Sequence, residues 1–221
     1  ETRPPAGADR DHVGEVVGGW KLESRLGRGG MGSVYRATRG GRTAAVKVLA
    51  RGLDGEAGNR FRRESALLRR MDHPAIVSVF DDGIDGDAGF FVMELVEGED
   101  LRVRLERGRM PLEEIRVVFP RILDALSHAH SRGVIHRDLK PANVVQAPDG
   151  AKLVDFGIAQ DDSATRLTQT AAVIGTFAYM SPEQRAGAHI GPRSDLFSFG
   201  VVLYEMATGR QAFSGATSAV I

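Results

Sequence analysis

The sequence predicts an α+β protein of two lobes, a small strand-rich one followed by a larger, mainly helical one. Three observations carry this prediction. Short apolar runs with period-two alternation dominate residues 20–97, and from Gly98 onward the apolar residues recur mostly at helical spacing. The two textures meet at 94–98, and no internal repeat crosses that point. The expected organisation is therefore a flexible lead-in over 1–19, a first lobe over 20–97 and a second over 98–221.

The lead-in is polar, rich in Pro, Gly and charge, and shows no periodic apolar face. Residues 20–26, 32–37 and 43–49 read as three consecutive strands joined by Gly-containing turns. A helix over 57–71 carries Phe61, Leu68 and Met71 on one face. Two further strands follow at 76–80 and 90–95, linked by a Gly/Asp turn at 85–89. Residues 112–131 form a long buried helix with Ile115, Val118, Phe119, Ile122, Leu123, Leu126 and Ala129 in one stripe. Pro120 lies inside it and should bend it, because proline removes a backbone donor. Short strands at 144–146 and 152–154 bracket a turn at 148–150. Residues 160–176 lack periodicity and read as a mobile loop, and 195–208 form a second very apolar helix.

Composition narrows the function classes. The 29 basic and 29 acidic residues cancel, so no global field favours nucleic acid or an anionic membrane. Cysteine is absent, which excludes disulfides, thiol catalysis and zinc–thiolate sites and fits a reducing, cytoplasmic setting. No apolar run approaches the roughly 20 residues of a membrane span, although an anchor outside this chain is compatible with that. Only four residues are lysines (Lys21, Lys47, Lys140 and Lys152) in a chain otherwise rich in Arg. Arg and Lys are not interchangeable at phosphate sites, so each lysine invites a chemical question.

Four motifs carry chemistry. Gly27-Arg28-Gly29-Gly30-Met31-Gly32 is a G-x-G-x-x-G between two predicted strands, where glycines let a hairpin backbone approach phosphates. The same pattern opens dinucleotide-binding βαβ units, but here a strand and not a helix follows Gly32. Lys47 sits within the apolar run 44–49, where a lone ammonium costs several kcal/mol of desolvation. Glu64 lies three residues after Phe61 and four before Leu68, on the inward stripe of the next helix, and is its natural partner. A snorkelling lysine and a solvated glutamate are the competing readings. His136-Arg137-Asp138-Leu139-Lys140-Pro141-Ala142-Asn143 places an Asp, a Lys and an Asn in one loop. These can accept a hydroxyl proton, neutralise phosphoryl charge and hold a metal. His136 could serve as a base, but after Val134-Ile135 it reads as a packed structural histidine. Asp155-Phe156-Gly157 ends a strand with a carboxylate suited to magnesium, which prefers oxygen ligands.

Together with Ser181-Pro182-Glu183, these motifs occur in the order of the eukaryotic-type protein kinases, and the chain from residue 20 to 221 resembles that family. The resemblance implies a bilobal protein kinase fold, an antiparallel sheet with one helix in the first lobe and a mainly helical second lobe. It implies ATP and Mg2+, with Mn2+ as an alternative metal, and a non-specific serine/threonine protein kinase activity. By resemblance, Gly27, Gly29, Gly30 and Gly32 cover the phosphates. Lys47 binds them and pairs with Glu64, Asp138 is the catalytic base, Lys140 contacts the γ-phosphate, and Asn143 and Asp155 hold the metal. The backbone of Glu94 and Val96 would bind adenine with Met93 as gatekeeper, and Val34, Ala45 and Val145 would sandwich the ring. Leu68, Val79, His136 and Phe156 would stack as an apolar column.

Lys140 and Thr176 resemble the serine/threonine branch. Residues 29–35, 72–77 and 168–176 resemble bacterial Hanks-type kinases of the PknB kind. Arg137 before the base implies control by phosphorylation, and Thr168 and Thr170 are the expected autophosphorylation sites, with Ser163 and Thr165 as minor ones. Thr176 reads instead as a structural hydroxyl. Protein substrates are the implied partners, together with a homodimer for phosphorylation in trans; nucleic acid is not expected. The family's second lobe normally continues with further helices, including an Arg that pairs with the residue at Glu183, so the lobe is expected to be incomplete. A buried Glu183 without that cation would cost several kcal/mol. The competing class is an inactive kinase-fold scaffold or fragment, which would lack Lys47, Asp138 or Asp155; all three are present.

Overall fold

The computed structural model describes residues 11–29, 32–49, 55–86, 88–156 and 177–213. They divide into two compact units. The first runs to Arg69 and resumes over Val79–Leu95; the second comprises Arg70–Ser78 and the chain from Val96.

The first unit is a six-stranded antiparallel sheet with one helix. Its strands are β1 (Val16–Val17), β2 (Trp20–Gly29), β3 (Gly32–Arg39), β4 (Arg42–Leu49), β5 (Val79–Asp85) and β6 (Ala88–Met93), in the order β1-β2-β3-β4-β6-β5. Strand alternation sorts its residues cleanly. Leu22, Tyr35, Ala37, Ala44, Val46, Val48, Phe90 and Val92 bury together on one face, with Val17 and Trp20 completing that core. The intervening positions Val34, Ala45, Lys47, Phe91 and Met93 belong to the opposite face, in register as Val34 opposite Lys47, Lys47 opposite Phe91 and Ala45 opposite Met93. Helix α1 (Gly55–Leu68) packs on this second face through Phe61, whose ring lies 4.9 Å from that of Phe91.

Two expectations are corrected here. Residues 16–19 are not part of an unstructured lead-in. Val16 and Val17 pair with Lys21 and Trp20, and the Gly14 N–H donates to the Leu22 carbonyl. The strand expected at 76–80 begins at Val79 instead, because Ile76 forms a parallel bridge with Leu153 of the second unit.

The second unit holds a three-stranded sheet of β7 (Glu99–Asp100), β8 (Val144–Ala147) and β9 (Gly150–Leu153). Helix α2 (Leu101–Glu106) starts at Asp100, whose carboxylate accepts the Val103 N–H at 2.9 Å. Helix α3 (Leu112–Ser131) runs through Pro120 and buries Ile115, Val118, Ile122, Ala125, Leu126 and Ala129. After the short helix α4 (Pro182–Arg185), helix α5 (Pro192–Thr208) begins three residues earlier than the apolar pattern suggests, with Pro192 in its first turn. It ends on Gly209, a left-handed C-cap with φ 69°. Phe119 of α3 stacks on Phe199 of α5, their rings 4.7 Å apart. The loop expected at 160–176 lies outside the described residues.

Candidate active site

In the first unit the β2–β3 hairpin carries the glycine motif. Gly27 pairs with Val34 and Gly29 with Gly32. Gly32 has φ 144°, and a Cβ there would meet the Val48 carbonyl oxygen at 2.0 Å, so only glycine fits against β4. At Gly27 a Cβ would meet nothing within 4 Å, which leaves the space above that strand open. Gly30 lies outside the described residues.

Lys47 is buried at 8% exposure on the face that α1 covers. Its cross-strand neighbour Phe91 packs on Phe61, and Glu64 stands one turn along α1 from Phe61, half-buried. Ser65, also on α1, is fully buried, and its hydroxyl donates to Asp82 at 2.8 Å. Ala45 and Met93 are buried on the same sheet face as Lys47, and Val34 and Glu94 are half-buried.

In the second unit the segment 136–143 connects α3 to β8 and gathers its polar groups tightly. Lys140 Nζ donates to Asp138 Oδ2 at 2.8 Å. Asn143 Nδ2 donates to the same oxygen at 3.1 Å and to the Asp138 carbonyl at 2.7 Å. Both side-chain bonds end on Oδ2, so the carboxylate is fixed while Oδ1 remains the oxygen that can take a proton. The Val154 N–H donates to the Asn143 carbonyl at 3.0 Å, which brings Asp155 beside Asn143 at the end of β9. Asp155 adopts φ 62° and is half-buried. Val145 is half-buried in β8, and Val96 is half-buried at the start of this stretch of the unit.

His136 is packing, not a base. It is fully buried, its Nε2 donates to the Val154 carbonyl at 3.1 Å and its Nδ1 accepts the Asp138 N–H at 3.3 Å. Both ring nitrogens are thus committed, and burial holds its pKa below the ordinary histidine value. Its ring sits 4.6 Å from that of Phe156. Glu183, expected to be buried, is half-buried. It accepts the Ser194 hydroxyl at 2.5 Å, and this bond holds its carboxyl below the usual range.

Sequence reasoning passed over two residues. Asp195, 1% exposed in the first turn of α5, accepts the Arg137 N–H on Oδ1 at 2.9 Å and the His136 N–H on Oδ2 at 2.8 Å. His130 Nε2 also donates to Oδ2, at 2.7 Å. Gln184 of α4 donates from Nε2 to the Arg137 carbonyl at 2.6 Å. An acid opening an apolar helix was the only available signal for the first; the second gave none. Thr168 and Thr170, with Gly157, Ser163, Thr165 and Thr176, lie outside the described residues.

A hard cation fits this donor set. With the Asn143 amide nitrogen committed to Asp138, its side-chain oxygen and the Asp155 carboxylate are two oxygen donors on adjoining segments. Magnesium is commonly held by one or two such groups plus substrate phosphates and water.

Residues 20–220 match the family model described as the protein kinase domain. The chain belongs to the protein kinase family. Relatives of this chain include the probable serine/threonine-protein kinase SCO3848 of Streptomyces coelicolor, 47% identical over 90% of this chain and 31% of the relative. The serine/threonine-protein kinase pkn2 of Myxococcus xanthus is 43% identical over 90% of this chain and 25% of its own. PknL of Mycobacterium tuberculosis is 40% identical over 88% and 50%. The chain therefore spans between a quarter and a half of the length of these relatives. The crystal structure of the Mycobacterium tuberculosis PknI kinase domain superimposes with a TM-score of 0.73 at 28% identity, covering 93% of this chain and 80% of that one. Among the described residues of this chain no helix is long and apolar enough to cross a membrane.

Proposed function

We propose that this chain transfers the γ-phosphoryl group of ATP to serine and threonine hydroxyls of proteins. The observation that carries the reading is the fixed Asp138 carboxylate, with Lys140 and Asn143 both bonded to Oδ2. A substrate hydroxyl gives its proton to Asp138 as its oxygen attacks the γ-phosphorus, and the bond to the bridging oxygen breaks to release ADP. Lys140, beside the base, offsets negative charge on the transferred group. Lys47, supported by Glu64, holds the α- and β-phosphates under the Gly27–Gly32 hairpin. Glu94, Val96, Met93, Val34, Ala45 and Val145 hold the adenine. Asn143 and Asp155 hold Mg2+, or Mn2+ in its place; when bound, the ion neutralises phosphate charge. Phosphorylation of Thr168 and Thr170, in trans by a second copy, provides the switch, with Arg137 receiving the phosphate. A cytoplasmic setting follows from the need for ATP.

The test is incubation of the full-length protein with labelled ATP, magnesium and a generic Ser/Thr protein substrate, beside Asp138→Asn. The unchanged protein should label the substrate and the variant should not. Equal labelling by both would remove Asp138 from the mechanism.

A further inference from the structure

We propose that Gln184 is a positioning residue that aims Asp138 by gripping the peptide joining it to Arg137. This rests on the kinase reading above, in which Asp138 is the base.

Arg137 adopts φ 66°, one of two non-glycine residues with positive φ among those described, the other being Asp155. A side chain disfavours that conformation, so surrounding contacts must impose it. Asp195 Oδ1 takes the Arg137 N–H at 2.9 Å and fixes the entry to the residue. The exit is the peptide whose carbonyl belongs to Arg137 and whose N–H belongs to Asp138. A peptide is planar, so holding both polar groups fixes its orientation and the direction in which Asp138 leaves it. Gln184 Nε2 holds the oxygen side at 2.6 Å, and His136 Nδ1 holds the N–H side at 3.3 Å.

The other end of the Gln184 amide is also used. Its Oε1 accepts the Ser181 N–H at 3.0 Å, and the Ser181 hydroxyl accepts the Gln184 N–H at 3.3 Å, a reciprocal cap that starts α4. One amide group, on a residue 9% exposed, therefore joins the start of α4 to the peptide before the base. Its acceptor atom serves α4 and its donor atom serves Asp138, so the two roles separate chemically.

Gln184→Glu separates them. A glutamate keeps an acceptor for the Ser181 N–H, since Glu is as good as Gln at this capping position. It replaces the donor with a carboxylate oxygen facing the Arg137 carbonyl. The expected result at pH 8 is a fall in kcat of about 10- to 100-fold, with KM for ATP within about 2-fold. The thermal midpoint should fall by several degrees at pH 8: the cap survives, but a buried carboxylate opposed to a carbonyl oxygen costs roughly 1–3 kcal/mol, and kcat is therefore read well below that midpoint. As pH falls from about 8 to about 6, the deficit relative to the unchanged protein should shrink, because a carboxyl against a carbonyl oxygen protonates readily and regains a donor. Gln184→Met has no donor at any pH and should lose kcat without that recovery.

Hydrogen exchange supplies a readout independent of catalysis: the Asp138 amide should lose protection in Gln184→Glu at pH 8 and regain it on acidification. Wild-type kcat in either variant, or unchanged Asp138 protection, overturns the proposal. If the unchanged protein transfers no phosphoryl group while the Asp138 amide still responds to Gln184→Glu, the clamp stands and the kinase reading falls.

Discussion

Replacing Asp195 by Asn should damage stability and activity together, and the structure sets the size of the effect. The carboxylate accepts three hydrogen bonds while almost fully buried: His136 N–H and His130 Nε2 on Oδ2, and Arg137 N–H on Oδ1. Asparagine has one acceptor oxygen. In the cheaper orientation that oxygen replaces Oδ2 and keeps two donors, and its NH2 group then faces the Arg137 N–H. One buried N–H loses its partner at a cost of roughly 1–3 kcal/mol, and opposed donors add to it, so about 2–4 kcal/mol is expected. Loss of the same bond frees Arg137 to leave φ 66°, and displacement of Asp138 should lower kcat by about 100-fold. Urea unfolding followed by tryptophan fluorescence and far-UV circular dichroism measures the first quantity; labelled-ATP transfer measures the second. A loss below about 1 kcal/mol with an unchanged rate would show that the Asp195 bonds are redundant, and the reasoning would fail.

His136 is buried, and desolvation holds its pKa below the ordinary histidine value. The unfolded chain therefore binds the extra proton first, so stability falls as pH drops below about 6.5 toward the depressed folded value, by up to about 1.4 kcal/mol per pH unit. His136→Gln should flatten that slope, and parallel urea titrations of the two proteins between pH about 7 and 5 would reveal it; identical slopes would contradict it. Gly32→Ala should destabilise by about 2–5 kcal/mol through positive φ and overpacking. Gly27→Ala, which meets no atom within 4 Å, should cost about 1 kcal/mol or less, and comparing the two thermal midpoints tests the difference.

Much of the first unit was legible because its central strands alternate cleanly: β3 and β4 bury Tyr35, Ala37, Ala44, Val46 and Val48 on one face and leave Lys47 on the other. The Asp138–Lys140–Asn143 cluster was also legible, since three side chains within six positions can meet without any long-range folding information. What escaped follows a physical pattern. Strand β1 has two residues between glycine turns, too few to show a period. The apolar run 75–80 suggested one strand, whereas it splits: Ala75–Val77 joins β9, and β5 continues into acidic residues. Those acids are tolerated because Asp82 is bonded by Ser65 and Arg69. Asp195 left only a faint signal and Gln184 none, because their partners in the segment 136–143 are peptide N–H and C=O groups. Every residue has these, and no letter of the sequence advertises which ones need an outside partner.

The stretch Arg70–Ser78 belongs to the second unit although sequence of the first unit flanks it on both sides. Leu153 N–H donates to the Ala75 carbonyl and Val77 N–H to the Leu153 carbonyl, so this stretch is a working part of the β9 layer. The genetic consequence is that neither unit is a cassette. A recombination joint at 97/98, the place where the sequence texture changes, would separate β9 from its neighbouring segment and strand buried Ala75, Ile76 and Val77 in the wrong protein. Swaps between relatives should respect three crossings, at 69/70, 78/79 and 95/96, and a library built on the single obvious seam should be enriched in insoluble chimeras.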